Sequence, residues 1–370
     1  MGDSRPLGVE HNRKTMLFII GPRTAAVLAV ISVVATACGG RGSPTAATPL
    51  PPSPPTTDTL RAAGQANGRR IGAAVQAGLL NEARYGGTVA REFNYLTAEY
   101  EMKWGAIEAT RGNNDFFAGD NIVSFARSYG MDVKGHALLW HQSLPAWVGA
   151  LSPSELRAAV AAHIREVAGH YRGRVHAWDV VNEAVADDGL GLRDTVFRQK
   201  LGEGYIAEAF RLAREADPGA LLFYNDYGGE GSGAKSNRIY DLLRSLIADG
   251  VPIDGVGLQM HVSANSRPSD GSIASNMRRL AGLGLIVHIS EMDVKVNGVS
   301  GSTDQKLDAQ KTAYKSIVAV CLAEPRCEAV TFWGVSDAHT WISGDTPLLF
   351  DAQYAAKPAH AGVLDALRGR

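Results

Sequence analysis

From Thr59 onward, short runs rich in β-branched and aromatic residues alternate with longer stretches in which apolar residues recur every three or four positions. The first pattern is typical of buried strands, and the second is typical of helices with one face on a core. Eight runs predict strands: Ile71–Val75, Glu92–Leu96, Val133–Trp140, Val175–Asn182, Leu221–Asp226, Gly255–His261, Ile286–Glu291 and Ala329–Trp333.

The clearest helix signal begins at Ser152. The sequence Ser-Pro-Ser-Glu at 152–155 combines a capping box with proline at the first helical position. Apolar residues then follow at helical spacing from Leu156 to Tyr171. A similar stripe at 121–129 is followed by Gly130, a residue that favours a helix end.

Strand–helix alternation repeated eight times predicts an α/β fold, a (β/α)₈ TIM barrel forming a single domain over residues 59–370. An open, doubly wound sheet is the alternative. No GxGxxG motif follows the first predicted strand, so the usual reason to prefer that sheet is missing.

The first 58 residues have a different character. Ala25–Ala37 is apolar and uncharged but too short to span a bilayer, and basic residues precede it. We expect residues 1–40 to be an export signal, with translation starting at Met1 or Met16. The box at 35–39 resembles a lipoprotein cleavage site, so Cys38 is expected to be lipidated; the alternative is an ordinary signal cut nearby, with Cys38 removed or left as a free thiol. Residues 41–58, rich in Pro, Ser and Thr, predict a linker.

The charge balance narrows the possible partners. The chain has 37 Lys and Arg against 38 Asp and Glu, a formal net charge of −1. This balance argues against nucleic acid or an anionic membrane surface, and it suits a neutral polymer or a small molecule. We expect a secreted or cell-surface monomer that meets a membrane only through a lipid on Cys38.

Two further cysteines, Cys321 and Cys327, lie close together near the end of the chain. In an exported protein such a pair favours a disulfide over a metal site, and no His or Cys cluster with zinc spacing lies nearby. A reduced pair in the core is the remaining alternative.

Polar and aromatic residues gather at the carboxyl ends of the predicted strands, where a barrel places its active site. Core packing would favour Val, Ile and Leu at these positions. The residues found there are Glu99, Lys103, His136, Trp140, His141, Asn182, Glu183, Asn225, Asp226, Gln259, His261, Glu291, Asp293 and Trp333, with Trp341 just beyond.

Glycoside hydrolysis requires two carboxyl groups that flank the scissile bond. Glu183 and Glu291 end the fourth and seventh predicted strands, which face each other across an eight-stranded ring. Most glutamates are solvated surface residues, but these two follow strong β runs, so that interpretation fits poorly. Four of the six tryptophans at or just after strand ends would offer sugar rings flat apolar faces.

The ordered motifs resemble those of glycoside hydrolase family 10, the endo-β-1,4-xylanases, over essentially all of residues 70–370. They are EYEMKW (99–104), GHALLWH (135–141), WDVVNEA (178–184), GLQMH (257–261), SEMD (290–293) and FWGVSD (332–337). The resemblance implies a (β/α)₈ barrel, retaining hydrolysis of β-1,4-xylosidic bonds in xylan, a cleft open at both ends, and no metal or organic cofactor.

The resemblance also implies individual roles. Glu183 would be the acid/base and Glu291 the nucleophile, with Asn182 on the 2-hydroxyl of the reacting sugar, His261 holding Glu291, and Asp293 supporting His261. The further residues with implied roles bind substrate or form a disulfide: Glu99, Lys103, His136, Trp140, Gln259, Trp333 and Trp341 for substrate, Cys321 and Cys327 for the disulfide.

Two positions depart from the family pattern. Tyr100 stands where Asn is usual, and Gln142-Ser143 stands where the usual order is Ser-Gln. Both positions would belong to the upstream sugar pocket, so we expect a weakened or reshaped upstream subsite. The alternatives are that Gln142 swings in or that a water bridges the gap, with no effect.

Three other functions compete with xylan hydrolysis. The first is a non-catalytic carbohydrate-binding lipoprotein, against which the presence of both glutamates with Asn182 and His261 argues. The second keeps the reaction but acts on short xylo-oligosaccharides or a β-1,4-glucan. The third, a barrel metalloenzyme, lacks a convincing His and Asp ligand set.

Overall fold

The computed structural model describes residues 58–370. The predicted export signal, Cys38 and residues 41–57 of the predicted linker lie outside the described residues. Within the described part, the strands are β1 (Arg70–Val75), β2 (Tyr95–Ala98), β3 (Asp132–Trp140), β4 (Ala177–Asn182), β5 (Leu221–Asp226), β6 (Gly255–Leu258), β7 (His261–Ser263), β8 (Ile286–Lys295) and β9 (Cys327–Phe332).

The helices lie mostly between consecutive strands. They are α1 (Leu60–Ala66), α2 (Ala83–Glu92), α3 (Trp104–Ile107), α4 (Phe117–Ser128), α5 (Pro153–His170), α6 (Val196–Leu201), α7 (Tyr205–Ala216), α8 (Ala234–Ala248), α9 (Asp270–Ala281), α10 (Thr303–Ala323) and α11 (Pro358–Leu367). Short 3₁₀ turns occupy Ala77–Leu79, Val148–Ala150 and Asp337–His339.

Parallel pairing closes the sheet into a barrel. The strand order is β6-β5-β4-β3-β2-β1-β9-β8, and pairing of β6 with β8 closes the ring. The short β7 pairs in parallel with the carboxyl-terminal residues of β8. The prediction of a (β/α)₈ barrel is therefore confirmed. All strands run in one direction, so their carboxyl ends share one rim, where side chains from distant parts of the sequence meet.

Three predicted strands are wrong in their bounds, and one of them, Ile286–Glu291, continues as β8 to Lys295. The run Glu92–Leu96 is not a strand throughout, because Glu92 ends α2 and β2 begins only at Tyr95. The Glu92 carboxylate accepts the Leu60 amide at 3.1 Å and contacts His360, partners far away in sequence. The run Gly255–His261 is split into β6 and β7 at Gln259 and Met260, since Met260 has a left-handed backbone (φ 67°).

Capping residues and apolar spacing in the sequence explain the ends and the buried faces of helices α5 and α4. Ser152 and Glu155 form the predicted capping box at the start of α5, with Pro153 in the first turn. Leu156, Val160, Ile164 and Val167 are all buried against the sheet. The stripe predicted at 121–129 lies in α4, and Gly130 follows it with φ 60°.

A disulfide joins Cys321, near the end of α10, to Cys327 at the start of β9. The predicted bond is thus present, on the side of the barrel where the strands begin. Within residues 58–370, no helix has both the length and the apolar character that crossing a membrane requires.

Candidate active site

A cleft of about 570 Å³ opens at the carboxyl ends of the barrel strands. Every residue that the sequence predicts as catalytic or substrate-binding lines it. They are Glu99, Lys103, His136, Trp140, Asn182, Glu183, Gln259, His261, Glu291, Trp333 and Trp341. Four residues outside that set also line the cleft: Tyr100, Gln142, Tyr227 and Lys295.

Glu291 lies on β8 with its carboxylate held on both oxygens. Oε1 accepts a hydrogen bond of 2.6 Å from Asn225 Nδ2, and Oε2 lies 3.2 Å from His261 Nε2. Burial acts to raise the pKa of Glu291, but the electrostatic influence of His136 and the hydrogen bond from His261 bring the pKa below its ordinary value. The Glu291 carboxylate is therefore ionised at neutral pH.

His261 links Glu291 to Asp293. Its Nδ1 lies 2.7 Å from Asp293 Oδ2, an oxygen that also accepts a 2.9 Å hydrogen bond from Trp341 Nε1. Burial acts to lower the pKa of His261, but the adjacent Asp293 and Glu291 outweigh burial and raise the pKa to about 10. At neutral pH the ring is an imidazolium that donates to both carboxylates, and Asp293 fixes its orientation.

Glu183 follows β4 in a left-handed backbone conformation (φ 59°) that is uncommon for a residue with a side chain. Its N–H donates to the Asn225 carbonyl at 2.8 Å, and its carbonyl accepts from Arg193 Nε at 3.1 Å. These two bonds fix the Glu183 backbone from the neighbouring strand and from the following loop. The side chain therefore leaves the strand end in a defined direction, toward the cleft.

Two amide groups contact the Glu183 carboxylate, whereas Glu291 is contacted by one amide and by an imidazolium. Gln259 Nε2 donates to Glu183 Oε1 at 3.1 Å, and Asn182 Nδ2 donates to the same oxygen at 3.3 Å. The two carboxylates thus lie in one cleft with different neighbours. Unequal surroundings are what a division into proton donor and nucleophile requires.

Asn225 on β5 joins the two halves of this arrangement. Its Nδ2 donates to Asn182 Oδ1 at 2.8 Å as well as to Glu291, and its Oδ1 accepts from Ser290 Oγ at 2.6 Å. A Cβ on Gly257 would lie 2.0 Å from Asn225 Oδ1, so the Asn225 amide can occupy this place only beside a glycine. The position of Asn225 at a strand end was the only signal in the sequence for this contact.

The residues from β2, β3 and β9 form another part of the cleft wall. Lys103 Nζ lies 4.5 Å from the ring centre of Trp140 and 6.0 Å from that of Trp333. Glu99 accepts a 3.0 Å hydrogen bond from Gln76 Nε2. Burial lowers the pKa of Lys103 and raises the pKa of Glu99, because each charged form loses hydration.

His136 on β3 lines the cleft but is almost fully buried. Its Nδ1 is 3.0 Å from Asp179 Oδ2, and Lys134 Nζ is 2.7 Å from the other oxygen of the same carboxylate. All three side chains are almost fully buried. His136 is therefore held rigidly, 3.9 Å from Glu291 Oε1.

The two departures from the family pattern have different outcomes. Tyr100 lines the cleft and is half exposed. At the second position Gln142, not Ser143, lines the cleft. Ser143 has φ 50°, and its carbonyl accepts a hydrogen bond from the Gly105 N–H at 2.7 Å. The contact of Ser143 is therefore with the backbone at Gly105. The alternative in which Gln142 turns into the cleft agrees with this position, and the weakened upstream subsite stays a prediction.

A cluster of three charged side chains, which no sequence pattern predicted, surrounds the Tyr227 hydroxyl at the cleft. The Tyr227 hydroxyl donates to Asp187 Oδ1 at 2.6 Å, and Arg193 Nη2 and Lys235 Nζ reach the same oxygen at 2.7 and 3.1 Å. Lys235 Nζ also lies 3.0 Å from Asp226 Oδ1. These contacts connect the loop after Glu183 with the loop after β5, and no local pattern in the sequence indicates them.

Comparisons with known proteins agree with this geometry. The model of the family described as Glycosyl hydrolase family 10 matches residues 59–366. The endo-1,4-beta-xylanase of Agaricus bisporus is 41% identical over 281 residues, covering 74% of this chain and 83% of that protein. Exoglucanase XynX of Acetivibrio thermocellus is 38% identical over 313 residues, 80% of this chain and 28% of that protein.

Solved structures give the same result. The crystal structure of xylanase 10B from Thermotoga petrophila RKU-1 in complex with xylobiose superposes with a TM-score of 0.81 at 38% identity, covering 84% of this chain and 97% of that chain. The family match extends over nearly all the described residues and includes every strand of the barrel. This chain belongs to glycosyl hydrolase family 10.

Proposed function

We propose that this chain is an endo-β-1,4-xylanase that hydrolyses xylan with retention of configuration, with Glu183 as acid/base and Glu291 as nucleophile. The observation that carries the proposal is the pair of carboxylates in one cleft, one contacted by two amides and the other by an amide and an imidazolium. The names of the Agaricus and Thermotoga relatives support the choice of xylan as substrate.

The proposed reaction starts with attack of Glu291 on the anomeric carbon while Glu183 protonates the leaving glycosidic oxygen. His261 and Asn225 keep the Glu291 carboxylate ionised and directed at the sugar. Water then hydrolyses the glycosyl–enzyme ester, with Glu183 taking its proton. Asn182, whose Oδ1 accepts a hydrogen bond from Asn225, would bind the 2-hydroxyl of the reacting sugar.

The indole rings of Trp140, Trp333 and Trp341 would hold the sugar rings through their apolar faces. Glu99 and Lys103 would bind sugar hydroxyls on the upstream side. The cleft volume and the mixture of indoles with hydrogen-bonding groups suit a neutral polysaccharide. We further propose that the enzyme is exported and works outside the cell, where such polymers occur, either free or anchored through Cys38.

The first test measures the release of reducing ends from xylan and from carboxymethyl cellulose. We expect release from xylan to exceed release from the cellulose derivative by at least about tenfold. A preference for the cellulose derivative would favour a β-1,4-glucan as substrate, the activity in the name of the Acetivibrio relative. No release from either polymer would contradict the proposal.

The second test assigns the two glutamates. Glu291→Ala should abolish turnover of all substrates, whereas Glu183→Ala should lose 10²–10⁴-fold on unactivated xylosides, about the contribution of general acid catalysis. Aryl xylobiosides with very good leaving groups need little protonation, so Glu183→Ala should spare their first step. Equal losses on both substrate types would contradict the assignment. Glu203→Ala, at an exposed glutamate paired with Arg198, is the matched control.

A further inference from the structure

Two residues at the junction of β6 and β7, separated by a single residue, contact the two carboxylates of the cleft. Gln259 Nε2 lies 3.1 Å from Glu183 Oε1, and His261 Nε2 lies 3.2 Å from Glu291 Oε2. Between them, Met260 is fully buried and has φ 67°. The directions of the Gln259 and His261 side chains therefore depend on the backbone conformation of Met260.

That conformation is an unfavourable one. A left-handed backbone is uncommon for residues other than glycine, and it persists only where surrounding contacts hold it. Backbone pairing holds only the carbonyl side of the peptide before Met260, where the Gln259 carbonyl accepts the Glu291 N–H at 3.0 Å, since β6 ends at Leu258 and β7 begins at His261. The N–H of Met260 needs a different acceptor.

Glu230 provides that group. It lies in the loop after β5, is 5% exposed, and its Oε1 accepts the Met260 N–H at 3.1 Å and the Gly228 N–H at 3.1 Å. Asn276 on α9 holds the same loop through hydrogen bonds to the carbonyls of Gly229 and Glu230. Glu230 does not line the cleft, so it has no direct access to substrate.

We propose that Glu230 is a positioning residue for the hydrolytic reaction, fixing the Met260 peptide so that Gln259 and His261 meet Glu183 and Glu291 together. This inference rests on the proposed roles of the two glutamates. A buried carboxylate that accepts two backbone N–H groups is a costly feature unless those groups need it. Here one carboxylate oxygen sets the geometry on both sides of the scissile bond.

The test compares three variants at Glu230 and Glu92 with the wild-type chain on xylotetraose. Glu230→Met keeps the side-chain length but cannot accept the Met260 N–H, whereas Glu230→Gln keeps an oxygen acceptor. Glu92→Ala is the matched control, because Glu92 is also a buried carboxylate that accepts a backbone N–H, but at the opposite end of the barrel. Melting temperature and near-ultraviolet circular dichroism are recorded for each.

We expect Glu230→Met to lose about 10²-fold in kcat, the effect of a displacement of about 1 Å in a catalytic group. Its KM should stay within about threefold, because Glu99, Lys103 and Trp140 belong to other strands. Glu230→Gln should recover kcat to within about threefold of wild type. Glu92→Ala should lower the melting temperature and leave kcat unchanged.

Wild-type kcat in Glu230→Met would overturn the inference, as would an equal loss in Glu230→Gln. If Glu230→Met does not melt cooperatively, Glu230→Asp replaces it, since the shorter side chain withdraws the acceptor from Met260. The same kcat loss is then expected, and wild-type kcat in that variant would likewise overturn the inference. Failure of the proposed function is a separate result, seen as no hydrolysis by the wild-type chain.

Discussion

Replacement of Asn225 by aspartate is the sharpest perturbation of the cleft, because it changes one NH₂ group into an oxygen of nearly the same size. In the wild-type chain Asn225 Nδ2 donates to Glu291 Oε1 and to Asn182 Oδ1. The variant loses both hydrogen bonds and brings a second carboxyl group to a place 2.6 Å from the Glu291 carboxylate. Two carboxyl groups that close together cannot both be ionised easily.

The magnitude follows from the lost contact. A hydrogen bond to a charged group contributes about 1.5–3 kcal/mol, which corresponds to a loss of roughly 10- to 150-fold in kcat/KM. The pKa of Glu291 is below its ordinary value in the wild-type chain, so the acidic limb of the pH profile lies below that value. In Asn225→Asp the pair shares a proton, and the acidic limb should move to higher pH.

The assay is kcat/KM on an aryl xylobioside between pH 4 and pH 9. Asn94→Asp is the control, since Asn94 Oδ1 accepts the Ile71 N–H and an aspartate oxygen can replace it. The control should keep the wild-type profile. If Asn225→Asp retains kcat/KM within about threefold and its acidic limb does not move, then Asn225 does not hold the reacting carboxylate, and this reasoning is wrong.

Three further changes test other parts of the structure. Double replacement of Cys321 and Cys327 by serine should lower the free energy of unfolding by about 2 kcal/mol in urea titrations, a modest loss because the closed loop is short, and should leave kcat on xylan unchanged. The pKa of His261 is raised to about 10, so the charged ring contributes its full stabilisation below pH ~6.5 and loses it as the pH rises through 10. The difference in unfolding free energy between wild type and His261→Gln should therefore become smaller from pH 6 to pH 10. A difference that grows over this range would contradict the charge assignment. Tyr100→Asn should raise the preference for xylobiosides over cellobiosides about fivefold, the effect of one hydrogen bond of about 1 kcal/mol, whereas Ser143→Gln should change kcat/KM by less than about twofold; equal effects of the two substitutions would contradict the position of Gln142 in the cleft.

The sequence predicted the barrel and the gathering of side chains at its rim because both depend on patterns within single strands. Glu183 directly follows β4, Glu291 lies in the carboxyl-terminal half of β8, and all strands share one direction, so the two residues come together at one rim. The same argument placed Trp140 and Trp333 at the cleft.

Contacts between distant loops could not be predicted in this way. Glu92 looked like the start of a strand, but its partners Leu60 and His360 are 32 and 268 residues away and belong to the helical layer. The contacts of Asp187 with Tyr227 and Lys235 likewise join the loop after β4 to the loop after β5 and to the first turn of α8. Local periodicity carries no information about such pairs.

Backbone conformation decided the remaining differences. The left-handed angle at Met260 divides a run that reads as one continuous strand, and the one at Ser143 turns that residue away while Gln142 faces the cleft. Neither residue is a glycine or an asparagine, so a left-handed conformation at these positions could not be predicted from residue type.

The stereochemistry of the first product tests the central claim most directly. Proton NMR of xylotetraose hydrolysis, recorded within the first minutes before the sugars mutarotate, reports the anomeric configuration of the released reducing end. A double displacement by Glu291 and Glu183 predicts the β-anomer first, with the α-anomer appearing only as mutarotation proceeds. An α-anomer formed first would show direct attack by water and would contradict the assignment of Glu291 as nucleophile.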